Sequence, residues 1–214
     1  AESYMQDYLR AHSKFLLKMK TWALPYFNFI DQIFSQYGLP RELKYLAVIE
    51  SHLNTGATSW VGAAGPWQFM PYTAREYGLI VNSSYDERRD YFKSTHAAAR
   101  YLLTLYKQTH DWLLVIAAYN GGPGRVFNAI KRSGSRNFWA LQYYLPEESR
   151  NHVKKFIATH YIMEGNNPLG YTNGIAVTNP YDHKPDITLK EAENAETQTI
   201  TGKFHSVIIK KNLS

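Results

Sequence analysis

Residues 39–73 constrain the fold most, because an apolar helical pattern there runs directly into a loop interrupted by glycine. Leu43, Leu46 and Glu50 recur at helical spacing, which predicts a helix that begins after Pro40 and includes Leu53. Leu43 and Glu50 are separated by about two helical turns, so the two side chains share one face. The pattern therefore places the Glu50 carboxyl in the apolar wall of the core.

A carboxyl in an apolar wall has two physical explanations. A buried charge is costly, so the group either finds a partner or raises its pKa and keeps its proton. A protonated Glu50 would suit glycoside hydrolysis, which needs a proton donor. An ion pair with a nearby Arg or Lys is the alternative, because structural pairs also bury acids. The helix pattern alone leaves both open.

The segment after Glu50 is a polar and aromatic loop. Gly56, Gly62 and Gly65 interrupt it, which leaves little room for a helix or a strand. Small residues allow a ligand to approach the backbone, and aromatic faces, amides and hydroxyls suit a sugar. The side chains of this kind are Ser51, Asn54, Ser59, Trp60, Trp67 and Gln68. The alternative is a surface loop whose aromatic side chains fill the core.

A second distinctive segment follows residues 112–119, the strongest apolar run in the chain. This run predicts a central helix capped by Asp111, and it ends at three glycines and a proline within residues 121–124. The sharp turn leaves Tyr119 and Asn120 at the exposed end of a buried helix, a suitable place for a binding site. A phosphate loop is disfavoured, since the GxxxxGK[ST] pattern is absent.

Together the two segments resemble a known family. The matching residues are Glu50-Ser51, Ser59, Gly62-Ala63-Ala64-Gly65-Pro66-Trp67-Gln68-Phe69-Met70-Pro71 and Ala117-Ala118-Tyr119-Asn120-Gly121-Gly122-Pro123-Gly124. They are similar to the soluble lytic transglycosylase (SLT) domain of bacterial cell walls, and within it to the membrane-bound murein lytic transglycosylase D branch. The resemblance covers roughly residues 37–164. It implies a mostly α, lysozyme-like fold of the goose type.

The resemblance also implies an activity and a site. Glu50 would cleave the β-1,4 bond between N-acetylmuramic acid and N-acetylglucosamine in peptidoglycan, acting first as acid and then as base. The product would carry a 1,6-anhydromuramic end, formed without water or any cofactor. The residues assigned to the substrate cleft are Ser59, Gln68, Met70, Tyr119, Asn120 and Glu148.

The chain departs from the family pattern at two positions. Residues 148–153 resemble a Glu-Thr-Arg-x-Tyr-Val segment whose glutamate lies near the cleft, but His152 stands where tyrosine is usual. Acidic side chains in the first turn of a helix also stabilise the helix by interacting with its dipole. This is the alternative role for Glu147 and Glu148. Pro66 replaces the leucine of a Gly-Leu-x-Gln element and is expected to stiffen the loop.

Two other functions remain open at this point. Residues 51–75 contain no Asp or Glu, whereas hydrolytic glycosidases usually pair two carboxylates. Glu50 is therefore alone in sequence, although Asp111 or Glu148 can still approach it in space. A lysozyme-like muramidase that uses water is one alternative, and a non-catalytic glycan-binding module is another.

The sequence predicts a division of the chain into three parts. Residues 1–36 are expected to form an N-terminal wrap, with helices at 5–20 and 22–37 packed against the helix of Glu50. Residues 37–164 form the catalytic domain, with further helices at 71–77, from Ser94 to 107, at 125–132 and at 146–163, and a solvated loop at 81–92. Residues 165–214 form an irregular tail with a little β-structure at 206–210.

Composition limits the partners. The net charge of +6 and the pI near 9.3 favour an acidic partner, but no nucleic-acid motif is present. The eight histidines are dispersed and cysteine is absent, so no metal site is expected. No run is long enough to cross a membrane, and the N-terminus lacks a signal peptide. The resemblance implies binding to peptidoglycan strands in the cell envelope or periplasm, and it leaves room for a lipid anchor on the precursor. A monomer is expected.

Overall fold

The computed structural model of the chain describes residues 2–165, and most of this part is helical. Extended pairing there is limited to isolated bridges of Ala64 with Thr58 and Phe69, and of Val81 with Asp86. The prediction of a mostly α fold is confirmed, whereas the predicted strand at 206–210 lies outside the described residues. The helices are α1 (Glu2–Trp22), α2 (Leu24–Gln36), α3 (Tyr45–Ser51), α4 (Pro71–Glu76), α5 (Tyr91–Thr109), α6 (Trp112–Gly121), α7 (Pro123–Ser133), α8 (Phe138–Leu141) and α9 (Glu147–Glu164), with 3₁₀ turns at Arg41–Lys44, Glu87–Arg89 and Gln142–Tyr144.

Helix α6 is the centre of the fold, as its apolar sequence predicts. It packs against α5, α7 and α9, and its residues from Trp112 to Ala118 are all buried. Asp111 caps its N-terminus, since the carboxylate accepts a hydrogen bond of 3.0 Å from the backbone N–H of Leu114. Burial of each large aliphatic side chain stabilises the fold by about 1.5–3 kcal/mol, which makes α6 the rigid support for the turn that follows it.

The two N-terminal helices join the same core. Helix α1 packs mainly along α9, where the Tyr8 hydroxyl lies 2.9 Å from the Thr159 hydroxyl. Helix α2 packs against the 3₁₀ turn before α3 and against α5. Helix α1 therefore has its main partner in α9, and it reaches the helix of Glu50 at its end, where the Phe15 ring lies 4.8 Å from that of His52.

Two predicted helix boundaries are corrected by the structure. The helix expected to include Leu53 ends at Ser51, because the backbone turns left-handed at His52 and Leu53, with φ of 56° and 66°. Helix α5 begins at Tyr91, before the expected cap at Ser94, because the Asp90 carboxylate accepts a 2.8 Å bond from the N–H of Lys93. None of the helices in residues 2–165 is long and apolar enough to cross a bilayer.

Candidate active site

Glu50 lies in the last turn of α3, where the buried helix gives way to the loop. The helix is buried from Tyr45 to Val48, and the left-handed turn at His52 then directs the chain out of the core. The Glu50 side chain is only 16% exposed. Its position at the end of a short core helix combines a desolvated environment with access to the surface.

The loop after α3 folds back on itself around Gly65. This residue has φ of +80°, and an added Cβ would collide with the carbonyl of Arg88. The turn from Gly65 to Gln68 closes with a 3.1 Å backbone hydrogen bond. Pro66 occupies the second position of this turn, where its restricted φ is suitable and no N–H is needed, so the departure from leucine is accommodated.

Arg88 braces this loop from outside, in contrast to the prediction of a solvated loop at 81–92. Its guanidinium is buried, pairs with Asp86 at 2.7 Å and donates hydrogen bonds to the carbonyls of Gly62 (2.7 Å) and Phe69 (3.0 Å). A run of alternating charges resembles a solvated face in sequence. Here the loop offers carbonyl acceptors, and two of the five guanidinium N–H donors, both on Nη1, bond to them while Nε and Nη2 donate to Asp86.

The two tryptophans of the loop have opposite roles. Trp67 is fully buried against Phe34, and its indole N–H donates a 3.0 Å hydrogen bond to the Thr95 hydroxyl. Trp67 is thus a core residue and offers no face to a sugar, as the alternative in the sequence analysis proposed. Trp60 is 96% exposed, on the outer surface of the loop.

The turn after α6 brings its polar residues against the loop and α9. The Tyr119 hydroxyl donates a 2.8 Å hydrogen bond to the carbonyl of Trp67, which ties α6 to the loop. Asn120 accepts a 2.9 Å hydrogen bond from the Ser149 hydroxyl of α9. Gly121 is required for this approach, because an added Cβ would collide with the same hydroxyl. Three separate parts of the chain, namely α6, the loop and α9, therefore meet at this turn.

A cavity of about 230 Å³ lies at this junction. All seven site residues named from the sequence line it, namely Glu50, Ser59, Gln68, Met70, Tyr119, Asn120 and Glu148. Ser59 accepts a hydrogen bond from the N–H of Ala63, and the amide of Gln68 donates to the carbonyl of Gly65. Both polar groups thus also hold the loop in shape. Glu148 faces the same cavity as Glu50, whereas Asp111 caps the opposite end of α6.

Five further residues line the cavity, although the sequence did not indicate them as site residues. They are Val61, Ala63, Phe69, Thr73 and Tyr101. Tyr101 comes from α5 and packs its ring 5.2 Å from that of Tyr119. In sequence it belongs to the apolar stripe of α5, and no neighbouring residue indicates that it lines a cavity instead of only filling the core. Val61 and Ala63 lie two and four residues after Ser59 in the loop, so proximity to an assigned residue was the available signal.

Burial determines the charge state of Glu50. Desolvation raises its pKa from 4.5 to about 8; the charge of Lys155 opposes this rise and that of Glu148 adds to it. No Lys or Arg within residues 2–165 forms an ion pair with the carboxyl, so the ion-pair alternative does not hold for the described residues. The carboxyl is therefore protonated at neutral pH and can deliver a proton into the cavity.

His152 is the closest titratable neighbour of Glu50. Its Nε2 lies 3.3 Å from Oε1 of Glu50, and its side chain is 7% exposed. Burial, with a smaller contribution from Lys155, lowers the pKa of His152 to about 3. The imidazole is therefore neutral wherever Glu50 is protonated, and the pair carries no net charge.

The described residues hold no cluster of three or more histidines and acids that could bind a metal ion. His183 and His205 lie outside those residues. The site consists instead of one buried acid, a narrow cavity and several amide and hydroxyl groups around it. This set of groups can bind a polar ligand and protonate one of its oxygens.

The transglycosylase SLT domain family matches residues 28–142, more than half of the chain, and the chain belongs to this family. Among its relatives, the membrane-bound lytic murein transglycosylase D of Escherichia coli K12 is 41% identical over 170 residues. That alignment covers 77% of this chain and 37% of the relative, so the chain spans little more than a third of the relative's length.

Solved structures agree with this family. The 70 kDa soluble lytic transglycosylase of Escherichia coli is 28% identical, with a TM-score of 0.53 over 62% of this chain and 24% of its own. The inactive glutamate-to-glutamine mutant of the lytic transglycosylase Slt from Pseudomonas aeruginosa is 26% identical, with a TM-score of 0.55 over 64% of this chain and 23% of its own.

Proposed function

We propose that the chain is the catalytic part of a peptidoglycan lytic transglycosylase, with Glu50 as its acid and base. The observation that carries this proposal is a carboxyl with a pKa raised to about 8 by burial, beside a cavity of about 230 Å³. Membership of the SLT family and the names of the relatives support the same activity.

The reaction needs only one acid, which changes its role during the cycle. Protonated Glu50 gives its proton to the oxygen that links N-acetylmuramic acid to N-acetylglucosamine, while the bond from that oxygen to the muramyl C1 breaks. The muramyl C6 hydroxyl then forms a bond to C1 and returns its proton to the Glu50 carboxylate. The product is a 1,6-anhydromuramic end, the acid is regenerated, and no water is consumed.

An internal nucleophile simplifies the reaction. A hydroxyl of the substrate itself is already held near C1, so no separate water has to be placed and activated. Burial then serves both steps, because a raised pKa provides the acid and a carboxylate in the same site is a strong base.

The remaining cavity residues are proposed to hold the glycan. Asn120, which the Ser149 hydroxyl orients, presents its amide nitrogen as a donor for sugar acetamido or hydroxyl oxygens. Met70 is 42% exposed and offers an apolar contact for a sugar face. Ser59 and Gln68 combine loop support with polar contact, and Tyr119 closes the back of the cavity.

One observation favours a second candidate, a muramidase that uses water. Glu148 is a second carboxyl on the same cavity, and hydrolytic glycosidases use such a partner to activate water or form a covalent intermediate. The two reactions give different products from the same substrate. The hydrolase leaves a reducing muramic end, which is heavier by one water than the anhydro end.

Product analysis of digested peptidoglycan tests the proposal. Purified sacculi are incubated with the protein, and the soluble fragments are identified by mass spectrometry. We expect 1,6-anhydro ends, and the Glu50→Gln protein should be slower by about a hundredfold to ten-thousandfold, the usual worth of general acid catalysis. Reducing ends would favour the muramidase. Binding to sacculi without release of fragments would leave only a glycan-binding module.

The cellular setting is proposed from the same relatives. The membrane-bound relative supports association with the cell envelope, and we propose the periplasm as the compartment. We further propose that the chain acts as a monomer on peptidoglycan strands, without a nucleic-acid partner, and that its precursor carries a lipid anchor. The division into a wrap (1–36), a catalytic domain (37–164) and a tail (165–214) belongs to the same proposal.

A further inference from the structure

His152 presents a buried nitrogen that the rest of the described chain does not use. Its Nε2 is inaccessible to solvent and has no hydrogen-bond partner within residues 2–165. The nearest carboxyl oxygen is Oε1 of Glu50, at 3.3 Å. The two side chains come from helices that pack directly on each other, α3 and α9. A buried polar atom without a hydrogen-bond partner destabilises the fold by about 1–3 kcal/mol. A functional role would explain why such an atom lies beside the acid.

The titratable groups connected to this pair, directly or through Lys155, come from four elements. Lys155 and Glu148 of α9 act on Glu50 through their charges, and Tyr119 of α6 is buried close enough for Glu50 to raise its pKa further. His52, after α3, and His12, on α1, lie in the field of Lys155, and their pKa values are lowered by burial and by that charge. None of these groups forms an ion pair with Glu50 in the described chain.

We propose that His152 is a positioning residue for Glu50, whose neutral imidazole donates its Nε2–H to Oε1 and so directs the acidic proton onto the other oxygen. This inference rests on the proposed function of Glu50 as acid and base. A neutral imidazole carries a single N–H, so donation from Nε2 means that the other ring nitrogen is unprotonated.

The donated hydrogen bond would act in both halves of the reaction. Before bond cleavage it occupies Oε1, so the proton resides on Oε2. After the proton has passed to the leaving oxygen, the same N–H stabilises the new carboxylate. In the structure the Nε2–H does not yet make this bond, because the separation is 3.3 Å and the N–H is not aligned with Oε1. Catalytic hydrogen bonds are often long or poorly aligned before substrate binds and tighten in the complex.

A set of matched variants tests the donor. In His152→Gln the side-chain amide reaches the position of Nε2 and keeps an N–H donor, whereas His152→Phe keeps an aromatic ring and removes the donor. We expect His152→Phe to lower kcat by about tenfold to a hundredfold with little change in KM, because a hydrogen bond to a charged group is involved. The alkaline limb of its profile of kcat against pH should move to higher pH, since loss of the donor raises the pKa of Glu50. His152→Gln should keep most of the wild-type kcat, and its alkaline limb should lie near that of the wild type.

Nitrogen NMR of the wild-type protein provides a test that does not depend on folding of the variants. With labelled histidine, the His152 ring should remain neutral and protonated at Nε2, and its signals should shift as Glu50 titrates near its pKa of about 8. The Glu50→Gln protein should lose that shift. Protonation at the other ring nitrogen would overturn the proposal.

Failure of this inference is distinct from failure of the proposed function. A wild-type protein that forms anhydro ends, together with an inactive Glu50→Gln and a His152→Phe of unchanged kcat and pH profile, would remove the role of His152 alone. A wild-type protein that releases no fragments would remove the proposed function, while the NMR signals would still report the hydrogen bond.

Discussion

Replacement of Glu50 by glutamine should make the folded protein more stable at neutral pH, while it removes the proposed activity. Glutamine has nearly the same shape as protonated glutamic acid and never ionises. In the wild-type protein the carboxyl has a pKa of 4.5 when the chain is unfolded and about 8 when it is folded. Between these values the unfolded chain releases the proton and the folded chain keeps it, so rising pH favours unfolding.

The magnitude follows from this difference in proton binding. Each pH unit between 4.5 and about 8 lowers the unfolding free energy of the wild type, relative to Glu50→Gln, by about 1.4 kcal/mol. The relative loss is therefore roughly 3 kcal/mol at about pH 7 and levels off above the folded pKa. His152 has the opposite sign: its pKa is lowered from 6.5 to about 3, so its neutral form gains stability as pH rises through that range. That contribution is common to both proteins and cancels in the difference.

Urea unfolding followed by tryptophan fluorescence measures the effect. The unfolding free energies of the wild type and of Glu50→Gln are compared at several pH values from about 5 to 8, the range in which the carboxyl is mainly ionised in the unfolded chain and mainly protonated in the folded chain. Glu147→Gln is the control, because it makes the same chemical change at an exposed position in the first turn of α9. A difference for Glu50→Gln that stays constant across this range would refute the protonated, buried acid.

Three further substitutions test the loop that forms the cavity. Gly65→Ala should destabilise the protein by about 3 kcal/mol or more, because a Cβ at positive φ meets the Arg88 carbonyl; an unchanged urea midpoint would contradict this packing. Arg88→Met should also cost about 3 kcal/mol or more in urea unfolding, because two loop carbonyls and a carboxylate lose a buried partner, and a smaller loss would mean that solvent replaces it. Trp67→Phe should cost about 2 kcal/mol through the lost bond to Thr95, whereas Trp60→Phe, at an exposed site, should change stability by less than about 0.5 kcal/mol; equal effects would argue against the opposite placement of the two rings.

Local patterns were sufficient where the decisive contacts are near in sequence. The apolar run of α6, the cap at Asp111 and the turn after Asn120 follow from residue type and spacing alone, and all three are present in the structure. The placement of Glu50 on a buried helical face follows from the same periodicity. Helix ends were less certain, as Leu53 and Ser94 illustrate, because capping contacts compete within a few residues.

Long-range contacts account for what the sequence did not predict. The buried role of Arg88 depends on carbonyls 19 and 26 residues away, and the contribution of Tyr101 depends on how α5 packs against α6. Trp67 resembled a sugar platform, yet it fills the core because Phe34 and Thr95 enclose it. Side chains of this kind carry no local signal for the partner that determines their role.

The amino-acid sequence by itself determined most of the helices, the turns rich in glycine and the position of Glu50 on an apolar helical face, because periodicity, capping and backbone freedom are properties of neighbouring residues. The tertiary structure decided the chemical state of that acid. Only when α3, α6 and α9 pack together is Glu50 desolvated, brought within 3.3 Å of a neutral His152 and placed on a cavity shared with Glu148. A pKa depends on the solvent and charges that surround a group in space, and those come from residues far apart along the chain.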